Sequence, residues 1–205
     1  MHRAGTNRAR RQIQALKPNV TREQALHLFT EGLSGLIANI VRGRPHSITD
    51  LYIPYLLFQV HVQSHDKEEI GIYALEAFRG IMDVYELPAM PVQADLLTLE
   101  TRNVLPSMLD AAQARDAVIA KVRRSIFARG FFQIRDLQID AVPLPLQICI
   151  PYWICFRGNS HNVHISVLDA IRRRKEGPKP AYLIEEWLRS ISDTPLHAPQ
   201  STVLS

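Results

Sequence analysis

The sequence is short of cysteine. Cys149 and Cys155 are its only two, too few for a disulfide framework in a chain of 205 residues. It also lacks a membrane-length apolar run. The longest uncharged stretch, 141–156, is broken by Pro143, Pro145 and Pro151, whereas a spanning helix needs about 20 apolar residues without such breaks. No spanning segment is expected. The N-terminal residues MHRAGTNRARRQIQALKPNV contain no continuous apolar core of the kind a secretory signal requires. A cytoplasmic, reducing location is the resulting expectation. Missing as well are a glycine loop of the phosphate-cradling type, a nucleophile elbow and a metalloprotease helix. With them goes the positive sequence reason for proposing an enzyme.

Acidic residues are absent from positions 1–20, which hold Arg3, Arg8, Arg10, Arg11 and Lys17. The whole chain carries +4, so the remainder is nearly neutral. Any pull on nucleic acid is therefore concentrated in a leader, read here as basic and flexible over 1–20. A 46% apolar composition is enough to build a substantial core.

What is present is a repeated pattern. Residues 53–76 read IPYLLFQVHVQSHDKEEIGIYALE, and residues 150–169 read IPYWICFRGNSHNVHISVLD. Each passes from Ile-Pro-Tyr through an apolar run to a polar tip, returns in alternation and closes on Leu plus a carboxylate. Strands are predicted at 51–63 and 70–75, then at 150–156 and 163–168, as two antiparallel hairpins. Pro54 lacks a ladder donor, which suggests an edge strand or the start of one.

A helix is predicted ahead of each hairpin. Thr21 and Gln24 form a capping box, and Leu26, Phe29, Leu33, Leu36, Ile37, Ile40 and Val41 follow at helical spacing up to Gly43. The second is predicted to start at Ser107, with Leu109, Ala112, Val118, Ile119, Val122, Ile126 and Phe127 inward and Gly130 at its end. The helix ends and the Ile-Pro-Tyr sites differ in offset, pointing to an inserted strand within 131–142. The expected organisation is a leader 1–20, a first unit 21–88, a connector 89–106 with a short strand near 96–99, and a second unit 107–191. That unit includes an amphipathic C-terminal helix over 181–191, and 192–205 form an unstructured tail. The fold class is α+β: duplicated helix-plus-hairpin units related by a pseudo-two-fold axis, with the helices on one face of the sheet.

Candidate sites follow from this plan. Tyr55, Tyr152 and Trp153, in the repeated motif, offer aromatic contact area for a protein partner or self-association. The leading expectation is therefore a non-enzymatic binding or assembly protein with its partner surface near the hairpins. A first alternative is nucleic-acid association through the basic leader, with Arg8, Arg10 and Arg11, and the basic patch 172–179, with Arg172, Arg173, Arg174, Lys175 and Lys179. A second is a small-molecule sensor or enzyme with a helix–sheet pocket near Glu76 and Asp169, which occupy matched positions. Both carboxylates equally suit backbone amides of the turns they precede. Cys149, Cys155, His161 and His164 are metal-type ligands, but Cys149 and Cys155 on one strand lie about 20 Å apart at 3.3 Å per residue. No metal or cofactor is expected.

Overall fold

A computed structural model of the chain describes residues 9–31, 43, 45–64, 67–128, 136–159 and 162–192. The protein is α+β. Eight strands form one mixed sheet curled into a half-barrel, accompanied by three helices among the described residues. In chain order they are β1 (Arg11–Leu16), α1 (Arg22–Thr30), β2 (Pro45–Ser64), β3 (Lys67–Glu76), β4 (Tyr85–Leu87), β5 (Leu96–Thr101), α2 (Ala111–Ala128), β6 (Gln138–Asn159), β7 (Asn162–Asp169), β8 (Arg174–Lys175) and α3 (Pro178–Ser192).

The central layer is the antiparallel pair β2 and β6, in which Ile53 opposes Ile150, Leu51 opposes Tyr152 and Tyr55 opposes Ile148. Both strands far exceed the usual length of about 5–6 residues. They also bend: the register shifts between Leu56 and Phe58, opposite the Pro143 and Pro145 stretch of β6, where missing N–H donors suit an irregular ladder. β3 pairs with β2 and β7 with β6, as the two predicted hairpins require.

Pro54 departs from expectation, since β2 is interior and not an edge. The N–H of Tyr52 points away from β6, donating to the Asn103 carbonyl at 2.8 Å, and the Pro54 carbonyl on that same side accepts from Ala77 at 2.8 Å. The missing N–H of Pro54 therefore falls where the outer neighbour of β2 changes from residues 103–105 to β3. Pro151 sits at the corresponding change along β6. Cys149 pairs in parallel with Ala15 of β1, Tyr152 pairs with Asp169 of β7, and Ala170 donates to the Pro151 carbonyl at 3.1 Å. Each proline marks a handover between partners, so no ladder bond is lost.

Three further expectations are corrected. The leader is not flexible throughout, because residues 11–16 form β1 between β5 and β6 and bury Ala15 and Leu16. Ile13 and Ala15 alternate with Gln12 and Gln14, and Arg11, on the face of Ile13 and Ala15, stays exposed at the start of the strand. α2 starts after Asp110, whose Oδ1 accepts from the Gln113 N–H at 2.8 Å, and not at Ser107. The N–H groups of Met108 and Leu109 are held by the Ala77 carbonyl, which keeps that backbone out of the helix. The capping box of α1 forms as predicted; its continuation over 32–42, the Gly130 helix end, the Arg8 and His161 positions and the tail from 193 lie outside the described residues.

The helices occupy both faces. Phe58 and Val60 of β2 pack with Ala114, Val118 and Val122 of α2, while Ile48 and Cys155 pack with Ala25 and Phe29 of α1. The opposite parity, Ile53, Tyr55 and Leu57 with Ile148, Ile150, Tyr152 and Ile154, clusters with Leu183, Ile184 and Trp187 of α3. The near-continuous apolar runs of β2 and β6 explain the correction, since a strand apolar on both faces needs cover on both. No helix among the described residues is long and apolar enough to cross a membrane.

The turns after β3 and β7 share a conformation. Gly80 has φ +66° and Arg173 has φ +58°, each four residues beyond the carboxylate that closes its hairpin. Arg173 carries a Cβ in left-handed backbone and Gly80 does not. Arg173→Gly should therefore stabilise the fold by about 0.5–1 kcal/mol. Gly80→Ala, whose Cβ would lie 3.0 Å from the Leu109 side chain, should cost about 1–2 kcal/mol. Urea unfolding of both variants checks the pair, and a destabilised Arg173→Gly contradicts it.

Candidate functional site

The Ile-Pro-Tyr tyrosines meet on the α3 face of the central pair. Tyr55 and Tyr152 flank Ile53 and Ile150 in the register, and their hydroxyls hydrogen-bond at 2.8 Å above them. The Tyr55 hydroxyl also reaches the Met82 sulfur at 3.6 Å. Tyr85 of β4 stands edge-on to Tyr55 with centroids 6.0 Å apart, and the Arg172 guanidinium lies 3.4 Å from the centroid of the Tyr85 ring. Burial pushes all three phenols well above their ordinary value, and for Tyr85 the nearby Asp169 charge adds to the shift.

A cavity of about 210 Å³ opens against this group. Its apolar wall is Tyr55, Tyr85, Tyr152 and Met82, and its rim is Asp83, Arg172, Arg174, Glu176 and the first turn of α3 from Pro178 to Pro180. Lys179 pairs with Asp83 at 2.6 Å, and Arg174 pairs with Glu176 at 3.1 Å. The Tyr85 hydroxyl and the Asp169 carboxylate are buried and act on each other, which leaves a polar spot beside the cavity.

Glu76 and Asp169 are placed by the same register, opposite Tyr55 and Tyr152 respectively. They do not form an acid–base pair open to a substrate. Glu76 accepts from the N–H groups of Phe78, Arg79 and Ile81, and Asp169 Oδ1 accepts from those of Ile171 and Arg172 at 2.8 Å each. Desolvation still raises both carboxyls above their ordinary values, outweighing the amides that favour the charged forms.

The remaining predicted residues separate. Tyr55 and Tyr152 are 0% and 1% exposed, which corrects their reading as a surface that a protein partner could touch. Trp153 is half-buried beside α1, its indole N–H donating to the Val20 carbonyl at 2.9 Å. Arg10 and Arg11 are exposed at β1, Arg172 faces the cavity, Arg173 occupies the left-handed turn position and Arg174 is paired with Glu176. The five described arginines thus serve different local arrangements. Cys149 and Cys155 fall in separate clusters. Among the described residues no three metal-type ligands converge.

Tyr85, Met82 and Asp83 were not singled out by sequence reasoning. They lie in a three-residue strand and the loop before it, and no spacing rule connects them. The inward parity of Tyr55 and Tyr152 was the available signal. No protein-family model matches this chain, and the comparisons with curated proteins and with solved structures found no match.

Asp169 gives a test by pH. Its folded carboxyl binds a proton more readily than the unfolded one, so stability is full below the ordinary Asp value of 3.8 and falls as pH rises toward the folded value. Asp169→Asn keeps an acceptor for the turn amides and removes the titration. The difference in urea stability, variant minus wild type, should therefore increase from pH 4 to 7; a constant difference contradicts the assignment.

Proposed function

We propose that this chain is a non-enzymatic small-molecule binding protein whose recognition element is the tyrosine-lined cavity, carried on a duplicated scaffold. The observation that carries the reading is the cavity, where the Arg172 guanidinium stacks on the Tyr85 ring beside Met82 and the prolines that open α3. A concave site with an apolar lining and a few placed polar groups suits a small molecule. The engagement of Glu76 and Asp169 with turn amides supports binding over carboxylate catalysis.

Matched pairings support the duplication. A rotation about the Ile53–Ile150 pair exchanges Pro54 with Pro151, Tyr55 with Tyr152, and the carboxylates Glu76 and Asp169 opposite those tyrosines. It also relates the parallel bridge between Tyr52 and Val104 to that between Cys149 and Ala15. The hydrogen bond from Met108 to the Ala77 carbonyl corresponds to that from Asn19 to the Ala170 carbonyl. Each unit on this reading begins with a short strand ahead of its helix.

Met82→Trp tests the cavity. The larger side chain should fill it and abolish binding of small aromatic probes, followed by ligand-observed NMR, at a stability cost of about 1–3 kcal/mol. Binding that survives the filled cavity, or wild type that binds no probe, overturns the reading.

A second reading, a partner or self-association surface at the hairpins, is favoured by one observation. Ile70 and Val163 stand six residues before Glu76 and Asp169 and are 58% and 50% exposed. Exposed apolar residues at corresponding places suit two like contacts. Replacing both with Lys should abolish any concentration-dependent association in light scattering. Association unchanged by the pair contradicts this surface.

A further inference from the structure

The charges around the cavity narrow its occupant, an inference that rests on the small-molecule reading above. Of its three rim cations, Lys179 and Arg174 are neutralised by Asp83 and Glu176. Arg172 is not. Its guanidinium stacks on the Tyr85 ring, and among the described residues no carboxylate or carbonyl pairs with it. The buried Asp169 acts on Arg172 through space, but no ion pair is formed among the described residues, so the Arg172 fork is the rim cation whose N–H donors are left for a ligand. The same guanidinium also borders an adjoining groove of about 730 Å³ formed with Gln59, Ile70, Ile72 and Leu87. Arg172 thus presents a planar fork of N–H donors, held in orientation by the ring beneath it.

Other features of the site agree on the sign and the number of charges. α3 starts at the rim, but Pro178 and Pro180 lack N–H groups, so its first turn offers few backbone donors and recognition falls to side chains. Positive helix-end potential still disfavours a cationic ligand. Asp83, Glu176 and the buried Asp169 stand close enough to oppose a second negative charge. A dianion such as a phosphate monoester fits this surrounding less well than a monoanion. The phenol rings, Met82 and the proline rings provide an apolar enclosure.

We propose that the cavity binds a small organic carboxylate with an apolar body, its carboxylate on Arg172 and its body against Tyr85, Met82 and Pro178. Arginine is suited to this task, because its paired donors match both carboxylate oxygens. Since Arg172 is exposed, the interaction weakens with salt.

The test uses three probes of similar shape and different charge: benzoate, benzyl alcohol and benzylamine, titrated by NMR into the full chain. Benzoate should bind about tenfold more tightly than benzyl alcohol at low salt, the scale of one charged hydrogen bond. Benzylamine should be weakest. Arg172→Gln should lower benzoate to the level of benzyl alcohol while leaving benzyl alcohol binding itself unchanged, and Arg172→Lys should restore part of the preference. Equal binding of benzoate and benzyl alcohol, or an Arg172→Gln variant that keeps the preference, overturns the carboxylate assignment and leaves the cavity reading intact. Failure of all three probes to bind overturns both.

Discussion

The structure depends on the antiparallel registration of β2 with β6. Once Ile53 stands opposite Ile150, the alternation of side chains determines which residues face each other on both sides of the sheet. Tyr55 and Tyr152 are brought to hydroxyl contact on one face, while Phe58 and Cys155 are directed to the helices on the other. A slip by one residue would send both phenols to the wrong face and leave the α3 cluster without its centre. The tyrosine pair therefore reports the register as much as it uses it.

The outer strands obey a second constraint, set by proline. Pro54 and Pro151 interrupt the donors of the two central strands where each changes its outer neighbour. This lets β2 and β6 each serve two partners along one edge, so a hairpin and a parallel strand attach in sequence. The carboxylates Glu76 and Asp169 then close the hairpins by gathering backbone N–H groups that would otherwise be buried without partners. Their charge and that of Arg172 meet beside the cavity, which explains why the polar surroundings of the tyrosines lie at the hairpin ends.

Much of this was legible in the sequence because it is local. The Thr21–Gln24 box, the two hairpins, the connector strand and the C-terminal helix all follow from caps, alternation and helical spacing. Contacts made across the chain were not legible. Ser107 reads as a helix start until the Ala77 carbonyl captures the next two N–H groups, and a proline reads as an edge signal until the change of neighbour is known. β1 was hidden by the arginines at and before its start, since pairing to β5 and β6 is invisible from residues 11–16 alone. The cavity draws residues from β2, β4, β6 and the start of α3, and only the tyrosine repeat and the matched carboxylates hinted at it.

The position of β1 also has a consequence in time. Its neighbours are β5 and β6, made much later in the chain, so closing those contacts requires ordering a long intervening loop. β1 can pair with β5 only once residues 96–101 have been made, and slow assembly of this kind is typical of distant strand pairing.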